Sequence, residues 1–269
     1  MTHPVGIFDS GIGGVSVLTA IRNELPGVDL IYTGDNFHLP YGEKSMQEIL
    51  TYSRGVAEFL KSKGCKVIVI ACNTASAAAL KQLREEYRDI VFIGMEPAVK
   101  PAAEQTQTGV VGVMATTATF QGELFASVVE RFASGVKVIQ QPCPGLVQQI
   151  EAGELDSPDT MKMLRGWLEP MKEQNIDRIV LGCTHYPFVK NAIHSILGDG
   201  VTIIDPAPAI AKQVRRVLGS RNEIPAGQQG TTRWFTSGDA QHFASTLLRL
   251  TGMKEQINPL CWSGNKLQE

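Results

Sequence analysis

Two stretches of this chain echo one another: Val67-Ile-Val-Ile-Ala-Cys72-Asn73-Thr74 and Arg178-Ile-Val-Leu-Gly-Cys183-Thr184-His185-Tyr186-Pro187. In each, a short apolar run rich in β-branched residues reads as a strand buried on both faces. A small residue and a cysteine follow, and a turn containing threonine leads into a helical pattern. Strands of this kind belong in a parallel sheet covered by helices on both sides. Ligands of such sheets bind outside the carboxyl ends of the strands, so both thiols are expected to face a crevice.

The same alternation runs through most of the chain. Strands are expected at 5–8, 28–32, 67–70 and 90–93, and again at 110–113, 136–139, 179–181 and 201–204, with helical patterns between them. Ser45 and Glu48 form a capping-box signature, Gly64 closes that helix, and Ser157-Pro158 reads as N-cap and first helical residue. Pro170 is expected to end or kink its helix, and Pro187 to start one. Strand-helix-strand alternation requires crossover connections, hence a mostly parallel sheet flanked by helices. Landmarks of the two halves pair off, Asp35 with Pro142, Cys72 with Cys183, and Glu96 with Asp205, at offsets of 107, 111 and 109 residues. So constant an offset points to an internal duplication. An α/β protein of two pseudo-symmetric lobes follows, residues 98–205 forming the second lobe and residues 1–97 the first. A tail at 206–269 returns to the first lobe, with a helix at 209–218, a Gly/Gln-rich linker at 225–230, a strand at 232–236 and a helix at 243–250.

Composition narrows the function classes. With 25 Lys+Arg against 27 Asp+Glu in 269 residues, and no basic run, nucleic-acid binding is not favoured. No run is long enough to span a bilayer, and Met1–Pro4 leads into the first strand without a secretory signal, so a cytoplasmic location and no membrane partner are expected. Five scattered cysteines without a C-x-x-C pair argue against a disulfide framework and a structural zinc site.

Cys72 and Cys183 are the leading candidates for chemistry. A lone free cysteine is usually a small core residue. Two at matched strand ends, each with neighbouring hydroxyls and a following helix whose amides lower a thiol pKa, make a different pattern. Cys65, Cys143 and Cys261 read as structural or incidental. His185 would serve as a base or proton shuttle for Cys183, and Asp9, otherwise an N-cap, as a carboxylate partner for the other thiol. Ser10, Asn73, Thr74, Thr184 and the loop Pro40-Tyr41-Gly42 offer neutral donors and acceptors for a small acid. Gly11-Ile-Gly-Gly14 fails the dinucleotide fingerprint, because Ser16 stands where a glycine or alanine is needed. Glu151, by periodicity alone, reads as a solvated surface carboxylate.

Together Asp9-Ser-Gly-Ile-Gly-Gly14, Pro40-Tyr-Gly42, Ala71-Cys-Asn-Thr-Ala-Ser76 and Gly182-Cys-Thr-His-Tyr-Pro187 closely resemble the glutamate racemases of the cofactor-independent aspartate/glutamate racemase superfamily. The resemblance covers about Val5 to Ala207. It implies interconversion of L- and D-glutamate without cofactor or metal, supply of D-glutamate for peptidoglycan, a site between the lobes, and a homodimer. By motif, Cys72 would deprotonate D-glutamate and Cys183 L-glutamate, with Asp9 assisting the first and His185 the second. Glu151, matched through Leu146-Val-x-x-Ile-Glu151-x-Gly153, would be an auxiliary acid. Thr117 is carried over through the looser match at Met114–Thr119. The alternatives are an aspartate racemase or other superfamily relative, and a non-catalytic small-acid binder. A pyridoxal-phosphate racemase is disfavoured, since no lysine lies in a strand-end motif.

Overall fold

A computed structural model describes residues 3–225, 227 and 229–269. Met1, Thr2 and two positions of the expected linker, Ala226 and Gln228, lie outside the described residues. The first half runs β1 (Val5–Asp9), α1 (Val15–Glu24), β2 (Leu30–Gly34), α2 (Met46–Ser62), β3 (Val67–Ile70), α3 (Asn73–Glu86) and β4 (Val91–Gly94). Then α4 (Val99–Gln105) leads into β5 (Val110–Ala115), α5 (Thr117–Gln121), α6 (Glu123–Phe132), β6 (Lys137–Pro142), α7 (Leu146–Glu151), α8 (Pro158–Glu173), β7 (Arg178–Gly182), α9 (Lys190–Leu197) and β8 (Thr202–Ile204). The tail adds α10 (Ala207–Ser220), β9 (Thr232–Thr236), α11 (Ala240–Thr251), β10 (Ile257–Pro259) and a hairpin of β11 (Cys261–Ser263) and β12 (Lys266–Gln268).

Local sequence signals set several boundaries. Ser45 Oγ accepts from the Glu48 amide while the Glu48 carboxylate accepts from the Ser45 amide, opening α2 with the reciprocal cap its sequence specifies. Gly64, at φ 86°, takes the left-handed position just past that helix. Ser157 caps α8, and Pro158 follows where no amide donor is needed. Pro170 does not end α8, which continues to Glu173. The carbonyl it deprives of a donor belongs to Gly166, and both positions are exposed, so that carbonyl is open to solvent and the lost bond is not a buried one. Pro187 falls in a 3-10 turn, Tyr186–Val189, that precedes α9. Its missing amide leaves the tighter bond from Phe188 N to His185 O to carry the chain round.

Every pairing in the two large sheets is parallel. Their orders are β10-β9-β2-β1-β3-β4 and β6-β5-β7-β8. Without the two tail strands the first sheet has the order of the second, β1 matching β5, β2 matching β6, β3 matching β7 and β4 matching β8. The strands ahead of Cys72 and Cys183 therefore hold equivalent places. Alternation along each strand feeds a core on each face. Val5, Ile7, Leu30, Tyr32, Val67 and Val69 point to the side of α1, α10 and α11, whereas Phe8, Ile31, Ile68 and Ile70 point to α2 and α3. In the second sheet Ile179 and Leu181 pack towards α7, α8 and α9, and Val111, Val113 and Val180 towards α4 and α6. The short strands β10 to β12 have no counterpart in the sequence expectation. The hairpin packs Leu267 into the core shared by α2 and α3.

Candidate active site

The carboxyl ends of β1 and β3 from one sheet, and of β5 and β7 from the other, meet at one crevice. Ser10, Pro40, Tyr41, Gly42, Cys72, Asn73, Thr74, Thr117, Cys183, Thr184 and His185 all line it, around about 610 Å³ of empty space including its mouth. Asp9 and Glu151 lie behind this lining, both buried.

Cys72 follows β3 and caps α3, its Sγ accepting from the Ala75 amide at 3.4 Å and lying 3.7 Å from Ser10 Oγ. The helix amide does stabilise a thiolate, but it does not set the balance. Burial, then the neighbouring Asp9 carboxylate, push the Cys72 thiol up to about 12, with Ala75 and Ser10 opposing. At neutral pH Cys72 is therefore held as the protonated thiol.

Cys183 is built differently. No α-helix starts at it; the 3-10 turn intervenes. His185 places Nδ1 3.9 Å from Cys183 Sγ, and its Nε2 lies 2.7 Å from Glu151 Oε1. Burial works against an imidazolium here, yet hydrogen bonds to Cys183 and Glu151 and the charge of Glu151 hold His185 well above its usual value. Glu151 is only 8% exposed, so the solvated role that periodicity suggests is not the one it occupies. The α7 helix points it inward, and the same Oε1 accepts from the Ile12 amide of the first half of the chain at 2.9 Å.

Asp9 terminates β1 and does not cap α1, whose N-cap is Gly14. Its Oδ2 accepts from the Gly11 amide at 3.0 Å and its Oδ1 from Thr184 Oγ1 at 3.0 Å. Burial raises its carboxyl above the ordinary range, against the pull of His185 and these hydrogen bonds. Among the polar links that cross between the halves next to the thiols are Thr184 to Asp9 and Ile12 to Glu151. They require glycine nearby. A Cβ on Gly11 would collide with Glu151 Oε1, and one on Gly13 with His185 Nδ1. A third link is a triangle of hydroxyls, Thr74 to Thr116 at 2.9 Å, Thr116 to Thr119 at 2.9 Å and Thr74 to Thr119 at 3.3 Å.

Asn73 is 3% exposed, and neither its amide nitrogen nor its amide oxygen has a partner among the described residues. A buried amide left open on both atoms, beside a crevice, is disposed to meet a ligand carrying both a donor and an acceptor.

Several crevice residues escape the sequence analysis: Glu43, Thr116, Cys143, Pro144, Gly145, Val147 and Gln148. Thr116 carried a usable signal, since a threonine ending an apolar run and three residues before Thr119 is an N-cap pattern, and it caps α5. Cys143 closes β6, and burial raises its thiol, followed by the influence of Cys183. Cys65 lies in the core of the first half and Cys261 is exposed. Among the described residues no group of three or more His, Cys, Asp or Glu is placed to hold a metal ion. No helix there is long and apolar enough to cross a membrane.

Residues 13–214 match the family model of Asp/Glu/hydantoin racemases, and the chain belongs to that family. Within it, the chain is 48% identical to the glutamate racemase of Ectopseudomonas mendocina over 255 residues, 95% of this chain and 97% of that one. The crystal structure of glutamate racemase isoform RacE1 from Bacillus anthracis superposes with a TM-score of 0.89 at 31% identity, covering 98% of both chains. Glutamate racemase from Francisella tularensis, solved in complex with D-glutamate, gives a TM-score of 0.85 at 30% identity over 97% of this chain and 98% of that one.

Proposed function

We propose that this protein interconverts L- and D-glutamate by proton exchange at Cα between two thiols, without a cofactor. The observation that carries the mechanism is that Cys72 and Cys183, at equivalent strand ends of two sheets with the same order, line a single crevice. The near relatives named as glutamate racemases carry the choice of substrate.

Inverting a stereocentre without turning the substrate over requires a base on one side of Cα and an acid on the other. With L-glutamate, Cys183 as thiolate takes the α-proton, the electron pair spreads into the α-carboxylate, and the Cys72 thiol delivers its proton to the opposite side. The D-enantiomer runs the reverse path, with Cys72 as base and Cys183 as acid. His185, held cationic by Glu151, exchanges its proton with Cys183. The Asp9 charge makes the Cys72 thiolate more basic. Asn73, Ser10, Thr74, Thr117 and Thr184, with the 40–42 loop, bind the ammonium and carboxylate groups. A thiolate is a modest base for so weak an acid, so exclusion of water and hydrogen bonds to the developing carboxylate charge supply much of the rate.

This reading extends to supply of D-glutamate for peptidoglycan in the cytoplasm, to a homodimer, and to lobes at residues 98–205 and at 1–97 with 206–269. Incubation of purified protein with D-glutamate in deuterated water tests the central claim. Optical rotation should fall to zero while deuterium enters at Cα. Unchanged rotation refutes racemisation, and loss of rotation without α-deuterium refutes the proton-exchange mechanism. Comparable turnover of D-aspartate would favour a broader superfamily role, and light scattering of the purified protein tests the dimer.

A further inference from the structure

The returning tail converges on one carboxylate beneath the crevice. Asp35, just after β2, is completely buried. Its Oδ1 accepts from Ser237 Oγ at 2.6 Å and from Trp262 Nε1 at 2.7 Å. Its Oδ2 accepts from Tyr41 Oη at 2.7 Å and lies 2.9 Å from His38 Nδ1. Donors from the substrate loop, from the turn after β9 and from the terminal hairpin thus share a single carboxylate, whose lone pairs they fill.

Trp262 is held for this task. Its ring lies against Gly55 of α2, where any Cβ would collide with it. It stands edge-on to His38 at 5.0 Å between centroids, and His38 stacks on Tyr52 at 3.6 Å. At the other end of the chain of contacts, the Tyr41 phenol turns away from the crevice to reach Asp35. Tyr41 and Gly42 both line the crevice.

We propose that the C-terminal hairpin positions the substrate-binding loop. Trp262 and Ser237 orient Asp35, and Asp35 fixes Tyr41 so that the 40–42 segment keeps its place in the crevice wall. Asp35 and Trp262 are positioning residues, since neither lines the crevice. The proposal rests on the assignment of that crevice to glutamate.

Trp262→Phe keeps most of the ring and removes the N–H, and Asp35→Asn removes the charge that gathers the donors. A loosened loop weakens substrate binding more than proton transfer. Each variant should raise KM for both enantiomers by about fivefold or more, with kcat changed by less than about twofold. Because both changes act through one chain of contacts, the double variant should be little worse than the poorer single one. Thermal melting separates this from simple destabilisation, and Ser237→Ala, which removes the other donor to the same oxygen, replaces Trp262→Phe should that variant fail to fold. Unchanged KM in folded variants, or additive effects in the double variant, would overturn the proposal. Should the wild-type protein not turn over glutamate, the racemase assignment fails separately. Calorimetric titration with D-glutamate then decides the positioning role, weaker binding by the variants supporting it and equal or absent binding overturning it.

Discussion

Replacing Glu151 with glutamine isolates one charge. The amide oxygen can still accept from the Ile12 amide and from His185 Nε2, which now lie 2.9 and 2.7 Å from Glu151 Oε1. What disappears is the charge assistance to two buried bonds. Charge-assisted hydrogen bonds contribute about 1.5–3 kcal/mol and neutral ones about 0.5–1.5, so the pair should lose about 2 kcal/mol. In a chain of this size that is a fall of roughly 4–8 °C in Tm. The loss has a sign in pH. His185 is held above its usual value in the folded protein, so the stability it adds is fully present below its unfolded value of about 6.5 and fades as pH rises through the folded one. The gap between wild type and variant should therefore be widest below about pH 6.5 and narrow towards alkaline pH. Melting curves followed by circular dichroism across this range provide the measurement. In parallel, the alkaline limb of kcat/KM for L-glutamate should move to lower pH in the variant. Equal melting temperatures at every pH, or a gap that widens as pH rises, would refute the assignment of a buried imidazolium–carboxylate pair.

Other consequences can be checked with single variants. Cys72→Ser and Cys183→Ser, made separately, should each lower racemisation by about 10²–10⁴-fold, since in the proposed mechanism each removes the acid or base on one side of Cα; initial rates from either enantiomer measure this. Gly11→Ala puts a methyl group onto Glu151 Oε1, and should cost about 1–3 kcal/mol in urea unfolding as well as most of the activity. Cys261 is exposed and Cys65 is enclosed in the core, so a thiol reagent should label Cys261 first and Cys65 only on unfolding.

The sequence made legible whatever depended on neighbours in the chain. The β-branched runs before Cys72 and Cys183 specify buried parallel strands, and Ser45 with Glu48 specifies the start of α2. The equivalence of the two thiols follows from the repeated strand order, which the near-constant offset had already displayed. Features set by distant partners were hidden. Nothing around Glu151 shows that its carboxylate meets the Ile12 amide from the other half of the chain. Likewise Asp35 gathers Ser237 and Trp262 from some 200 or more positions away. The strands β10 to β12 are three residues each, too short for alternation to show in the sequence. Pro170 does not stop α8, because a proline's penalty depends on what replaces the lost bond, and here the freed carbonyl belongs to an exposed residue.

The unequal surroundings of the two thiols meet a constraint from outside the protein. Enantiomers have the same free energy in water, so the equilibrium constant of a racemisation is unity. The Haldane relation then makes kcat/KM identical in the two directions, however different Asp9 and His185 make the two flanks of Cα. Their difference can reach the kinetics only as kcat and KM rising or falling together, one direction being tight and slow where the other is loose and fast. A crevice with twofold topology and one-sided chemistry can therefore bias how enzyme-bound substrate partitions and how readily each enantiomer saturates it. It has no power to bias which enantiomer accumulates.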